Sequence, residues 1–285
     1  MILVFGSLNV DFVFDVETLP TNGQTLLAPA MRMEPGGKGA NQALAARRAG
    51  AEVAMVGAVG RDALAELALS NLRAEGVDVT GVAIADAATG CASICIDGAG
   101  QNQIVVALGA NASAKATLID DALLARASHV LLQGESDVAE IEALIFRAKD
   151  ADVQVILNLA PVVALSERAL RNVDLLVVNA DEASALASLL SCEGAAKGLH
   201  IALGVDVIRT LGADGAEAAS LDGLFHLPAE RITPVDTTGA GDAYVGALAA
   251  SLARGEPLAL AMRNANRAGS QACLRRGAQG TPAIG

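Results

Sequence analysis

From its first residues the chain alternates apolar runs of strand length with segments of helical period, and that rhythm admits few folds. ILVFG (2–6), VAMVGAV (53–59), HVLLQG (129–134), VQVILN (153–158), DLLVVN (174–179) and VDVIRTLG (205–212) read as strands. Helical patterns fall at 39–49, 62–75, 115–126, 137–150, 180–190, 193–202, 239–253 and 257–274. Strands interleaved with helices predict an α/β fold, a mostly parallel central sheet covered by helices. Asp62 and Asp137 stand where helix caps belong. With 285 residues, 53% of them apolar, a single domain over 1–285 built on one large core is expected.

Two regions break the rhythm. Segments 11–34 and 91–108 carry period-two alternation: FVFDV in the first, CASICID and QIVVAL around the turn DGAGQN in the second. They predict a small accessory sheet. Such a sheet cannot bury both faces alone, so it commonly covers a site or meets a partner subunit. No repeat or low-complexity linker marks a further boundary.

Composition narrows the function. The net charge of −12 argues against a nucleic-acid binder, and no Trp, one Tyr and five Phe leave no platform for stacking bases. An anionic ligand must therefore find a local positive site. Cys91, Cys95, Cys192 and Cys273 form no CxxC pair and read as structural thiols rather than disulfide or zinc ligands. No apolar window reaches the roughly 18 residues of a membrane span, and MILVFGSLNVD has no basic segment before its apolar run. No membrane partner is expected, and the cytoplasm is the expected location.

VDTTGAGDAY (235–244) runs from an extended segment through two glycines into an apolar helix. The first amides of a helix have no partner within it, so Gly239, Ala240 and Gly241 offer N–H groups to an anion at the positive helix end. Asp242 beside them is informative, because a carboxylate next to bound phosphate is repelled unless it accepts a proton. It reads as a general base for a hydroxyl attacking a phosphoryl group. The plain alternative is an Asp capping its own helix. PGGKGAN lacks the upstream Walker glycine, where Arg32 stands, and no Ser or Thr follows its lysine; GAGDAY ends on Tyr244 and so misses the dinucleotide fingerprint.

EPGGKGANQA (34–43) and DTTGAGDAY (236–244) resemble the two signatures of the ribokinase or PfkB family of carbohydrate kinases, and the likeness runs from GSLNVD (6–11) to RRGAQGTP (275–282). The resemblance implies an α/β/α sandwich with a β-sheet lid formed by 11–34 and 91–108, and ATP-dependent phosphorylation of a small sugar. It makes Asp242 the base and the amides of Gly239, Ala240 and Gly241 the anion hole. Asn9, Asp11, Gly37, Lys38, Asn41 and Glu135, with Asp242, match sugar-contacting positions. Asn179 and Glu182 match an NxxE element that positions Mg²⁺ and phosphate, largely through water, although alone they would read as a helix start. Thr210 and Gly212, together with Asn179 and Gly241, match positions along the ATP phosphates, and Asn266 one near adenine. Asp236, Thr238, Cys273, Gly277 and Thr281 match ligands of a monovalent cation, K⁺.

Ribose, phosphorylated at its 5-hydroxyl, is the first expected substrate. Fructose, adenosine, pseudouridine and 2-keto-3-deoxygluconate share the frame, and a non-catalytic sugar sensor is the alternative of another class. A homodimer through the lid is also expected. The chain departs from the family pattern in ending at Gly285, soon after GAQGTPAIG, and in having Ala180 where many relatives place Glu.

Overall fold

The computed structural model describes residues 1–99 and 101–280. In chain order the elements begin with β1 (Ile2–Phe5), β2 (Asn9–Asp15), β3 (Met31–Gly36), α1 (Lys38–Arg48), β4 (Val53–Gly60), α2 (Ala63–Ala74), β5 (Asp78–Ala85), β6 (Gly90–Ile96) and β7 (Asn102–Ala107). There follow α3 (Asp121–Arg126), β8 (His129–Gln133), α4 (Val138–Asp150), β9 (Gln154–Asn158), α5 (Glu167–Leu170), β10 (Leu175–Asn179), α6 (Ala180–Leu190) and α7 (Ala196–Leu203). The chain closes with β11 (Asp206–Thr210), β12 (Ala216–Ser220), β13 (Gly223–Leu227), α8 (Ala240–Ala253) and α9 (Leu258–Ala272).

Nine strands form the large sheet in the order β13-β12-β11-β10-β9-β8-β1-β4-β5. Pairing is parallel from β11 to β5, and β12 and β13 add an antiparallel edge. Alternate residues of one strand leave on opposite faces: Leu3 and Phe5 enter one core with α4, α6 and α7, while Ile2 and Val4 enter another with α1, α2, α8 and α9. The result is the expected three-layer α/β/α sandwich. β2, β3, β6 and β7 make the separate small sheet, ordered β3-β2-β6-β7, so both irregular segments supply it.

The expected caps are present: Asp62 accepts from Ala65 N at 3.1 Å and Asp137 from Ala139 N at 2.9 Å. The helix expected over 115–126 is corrected. Ala116–Leu118 makes a 3₁₀ turn, and Asp120 caps a separate short α3 by accepting from Leu123 N at 2.7 Å. A side chain that satisfies the first amides starts a new helix there rather than continuing an old one.

Candidate active site

In a parallel sheet, ligands bind beyond the carboxyl ends of the strands where the strand order reverses. Here the chain leaves β1 toward β4 on one side and later returns on the other through β8. Ser7 follows β1 and Glu135 follows β8, and the Ser7 hydroxyl donates to Glu135 Oε2 across that reversal at 2.5 Å. Lys38 N also donates to Glu135 Oε2, at 3.2 Å, and Gly39 N to Ser7 Oγ, at 3.3 Å. The start of α1 is thereby pinned to the sheet edge. Gly37, with φ 91°, makes the turn into it, and a Cβ there would lie 2.8 Å from both Ser7 O and Asn9 N.

Asp242 lies in the first turn of α8, which starts at Gly239 with φ 75°. Its carboxylate is 7% exposed and is held by neutral amides. Asn41 Nδ2 donates to Oδ2 and Gln42 Nε2 to Oδ1, both at 2.9 Å. It makes no cap to its own helix, whose N-terminus has no side-chain hydrogen bond. Ala240 N reaches the Thr237 carbonyl at 3.2 Å, and a Cβ built on Gly241 would meet only open space. The close approach of α1 to α8 sets this geometry, since a Cβ on Gly246 would sit 2.5 Å from Gln42 O and 2.5 Å from Ala45 Cβ.

The polar cluster on the other side of Asp242 comes from the small sheet and α1. Asn9 is buried and its Oδ1 accepts from Asn111 Nδ2 at 2.7 Å. Asp11 pairs with Glu34 across β2 and β3, and Gly36 makes room for its carboxylate, 2.2 Å from where a Cβ would stand. Burial, then the charges of Glu135, Glu34 and Asp242, push the Asp11 carboxyl up to about 7. Lys38 is the cation among them. The Asp242 carboxylate raises its ammonium above the ordinary value against the effect of burial, with Glu135 and Glu182 adding.

Beyond α8, a cleft of about 590 Å³ is lined by Thr210, Gly212, Ala240, Gly241 and Asn266, among others. Asn266 Nδ2 donates to the Leu227 and Pro228 carbonyls at 3.0 and 3.2 Å, which leaves its own oxygen as the free polar atom. Asn179 and Glu182 form a reciprocal capping box at the start of α6, each accepting from the other's backbone N–H at 2.8 Å. Burial raises the Glu182 carboxyl, against the Asn179 N–H. Asp236 accepts from Thr238 N and Gly277 N, both at 2.9 Å. Burial raises its carboxyl, but those N–H donors, the Thr238 hydroxyl and the Arg32 charge together outweigh burial and leave it below the ordinary range. The Cys273 carbonyl accepts from Val235 N at 2.8 Å and Asp236 N at 3.2 Å, so both its lone pairs are used. Thr281 lies outside the described residues.

Sequence reasoning overlooked the amides and hydroxyls behind these groups: Ser7, Gln42, Asn111, Gln133, Asn158 and Gln279, all at most 7% exposed. Their one local signal was position, immediately beside or at the end of a strand or motif already singled out.

Residues 1–284 match the pfkB family of carbohydrate kinases. A ribokinase of Bacillus subtilis is 36% identical over 282 residues, covering 98% of this chain and 94% of its own. The crystal structure of ribokinase from Thermotoga maritima superposes with a TM-score of 0.89 at 32% identity, over 98% of this chain and 94% of that one. The structure of Arabidopsis thaliana ribokinase complexed with ribose and ATP gives 0.86 at 28% identity, again over 98% and 94%.

Proposed function

Because the chain belongs to the pfkB family of carbohydrate kinases, we propose that it transfers the γ-phosphoryl group of ATP to the 5-hydroxyl of D-ribose, giving ribose 5-phosphate and ADP. The observation that carries this reading is the Asp242 carboxylate, held by two amides at a helix N-terminus between a hydroxyl-binding cluster and a nucleotide-sized cleft. The ribokinases among its relatives support ribose as the acceptor.

Asp242 takes the proton of the attacking hydroxyl, and the amides of Gly239 and Gly241, joined by that of Ala240 once it is released from the Thr237 carbonyl, bear charge on the transferred group. Asn9, Asp11, Gly37, Lys38, Asn41 and Glu135 hold the sugar. Amides and carboxylates are the donors and acceptors a polyol needs, and a missing hydroxyl would leave them unpaired. The phosphates run past Asn179, Thr210, Gly212 and Gly241, with Asn266 at the base.

Magnesium fits the oxygen-only donors at Asn179 and Glu182. Their capping box leaves one Glu182 carboxylate oxygen free for the water of a hydrated ion. When bound, the ion neutralises phosphate charge. Potassium fits Asp236, Thr238 and Gly277, but Cys273 joins them only if its carbonyl is released from the Val235 and Asp236 N–H groups.

The chain acts as one domain in which the small sheet is a lid that excludes water. Met31, Met33 and Val105, 46, 49 and 69% exposed on one face of that sheet, support a homodimer through it. No helix among the described residues is long and apolar enough to cross a membrane, and dependence on ATP supports a cytoplasmic location.

The test is ADP release with Mg²⁺, K⁺ and ATP across D-ribose, 2-deoxyribose, fructose, adenosine, pseudouridine and 2-keto-3-deoxygluconate. Turnover highest with ribose is expected. Preference for another acceptor would overturn the substrate while keeping the base, and silence on all six would favour a sensor.

A further inference from the structure

Gln42 is 0% exposed, and every hydrogen-bonding valence of its amide but one lone pair is used. Its Nε2 donates to Asp242 Oδ1 and to Asn158 Oδ1, both at 2.9 Å, and its Oε1 accepts from Gln133 Nε2 at 2.9 Å. Asn158 is fixed in turn, because its Nδ2 donates to the Val177 carbonyl at 3.1 Å. Turning the Gln42 amide over would set its oxygen against two acceptor oxygens and its nitrogen against a donor. The amide therefore has one permitted orientation, and it presents N–H to the carboxylate.

Gln133 and Asn158 are the last residues of β8 and β9. The contact thus ties Asp242 to the rigid carboxyl edge of the parallel sheet, whereas Asn41, on the other carboxylate oxygen, is held by Gln279 at 2.9 Å, near the carboxyl end of the chain. A buried polar group with all partners in place is rigid, and losing one partner is costly.

We propose that Gln42 is a positioning residue for phosphoryl transfer: it fixes the plane of the Asp242 carboxylate against the sheet edge. The inference rests on Asp242 being the base. One consequence separates it from mere packing: a misoriented base lowers kcat more than it raises the KM for sugar.

The experiment compares Gln42→Met, isosteric but without a donor, with the parent. Expected are a fall in kcat of about 10- to 100-fold and little change in sugar KM. Gln42→Asn keeps an amide for Gln133 but draws it back by one methylene, and gives the same loss if Gln42→Met does not fold. Ser251, buried at the far end of α8 and bonded by Arg254 and Asn264, provides the structural control. Ser251→Ala loosens the same helix and keeps the parental kcat and sugar KM. Parental kcat in both Gln42 variants, or a loss that falls on sugar KM instead of kcat, would overturn the proposal, as would equal losses in Ser251→Ala. Asp242→Asn separates the two readings: if it is inactive while the Gln42 variants are normal, only the positioning role fails, and if it is active the base itself is wrong.

Discussion

Replacing Asp11 by Asn removes a charge that burial and neighbouring carboxylates make costly. Its carboxyl rises from 3.8 to about 7 because it is buried and faces Glu135, Glu34 and Asp242. Between those pH values the folded chain keeps a proton that the unfolded chain has released. The Asp11 contribution is therefore fully present below pH 3.8 and lost as pH rises to about 7. The slope is about 1.4 kcal/mol per pH unit, or about 4 kcal/mol across the window. Asp11→Asn carries no such proton. Its stability relative to the parent should climb by about 2–3 kcal/mol from pH 5 to pH 8 and stay level above that. Urea unfolding of both proteins at pH 5, 6, 7 and 8 reads the difference directly, since other carboxylates are common to both and cancel. A stability difference that does not change with pH would refute the reasoning. The same variant should lose sugar affinity at pH 8, where the parent offers an ionised acceptor, so gain of stability and loss of binding arrive together.

Asp242→Asn should lose phosphorylation by about 10²- to 10⁴-fold while still protecting the protein against heat in the presence of sugar, read by ADP release and thermal shift; a nearly normal rate would exclude the base. Gly246→Val should cost about 1–3 kcal/mol by overpacking, because its first added carbon already meets Gln42 O and Ala45 Cβ at 2.5 Å. It should also slow turnover as α1 retreats from Asp242, and unchanged urea stability would contradict this. Exchanging K⁺ for tetramethylammonium at equal ionic strength should lower kcat, and equal rates would remove the monovalent cation. Asn179→Ala should destabilise by about 1 kcal/mol through the lost cap and raise the Mg²⁺ needed for half-maximal rate; an unchanged Mg²⁺ titration would leave the pair as a cap alone.

The parallel strands were legible because burial on both faces demands continuous apolar runs, as in HVLLQ and LLVVN. β12 was not, since AEAAS has alanine where a strand usually shows branched residues. β5 was missed because DVTGVAIA is an edge strand of mixed burial broken by Gly81. The glycine turn into α8 was legible, because a helix that starts at a positive φ, as at Gly239, calls for glycine. Gln42, Gln133 and Asn158 were not. A polar residue inside a helical or strand pattern looks the same in sequence whether it faces solvent or a buried carboxylate, and only the crossing of α1 over the ends of β8 and β9 decides.

On the proposed role of Asp242 as the base, hydrogen-bond partners that are amides rather than a guanidinium suit its chemistry. Asp242, Glu135 and Glu182 surround Lys38, and Asp11 faces Glu135, Glu34 and Asp242, with Glu34 itself paired to Arg32 at 2.7 Å; the like charges leave a net repulsion that bound hydroxyl donors would relieve. An arginine paired with Asp242 would relieve it sooner, but a charge-assisted bidentate pair would also bind the lone pairs and depress the basicity that proton abstraction requires. Asn41 and Gln42 each supply one neutral donor to one oxygen, enough to fix direction while leaving the charge available. The fold tolerates the residual repulsion because those amides are themselves anchored, through Gln279 on one side and Gln133 and Asn158 on the other.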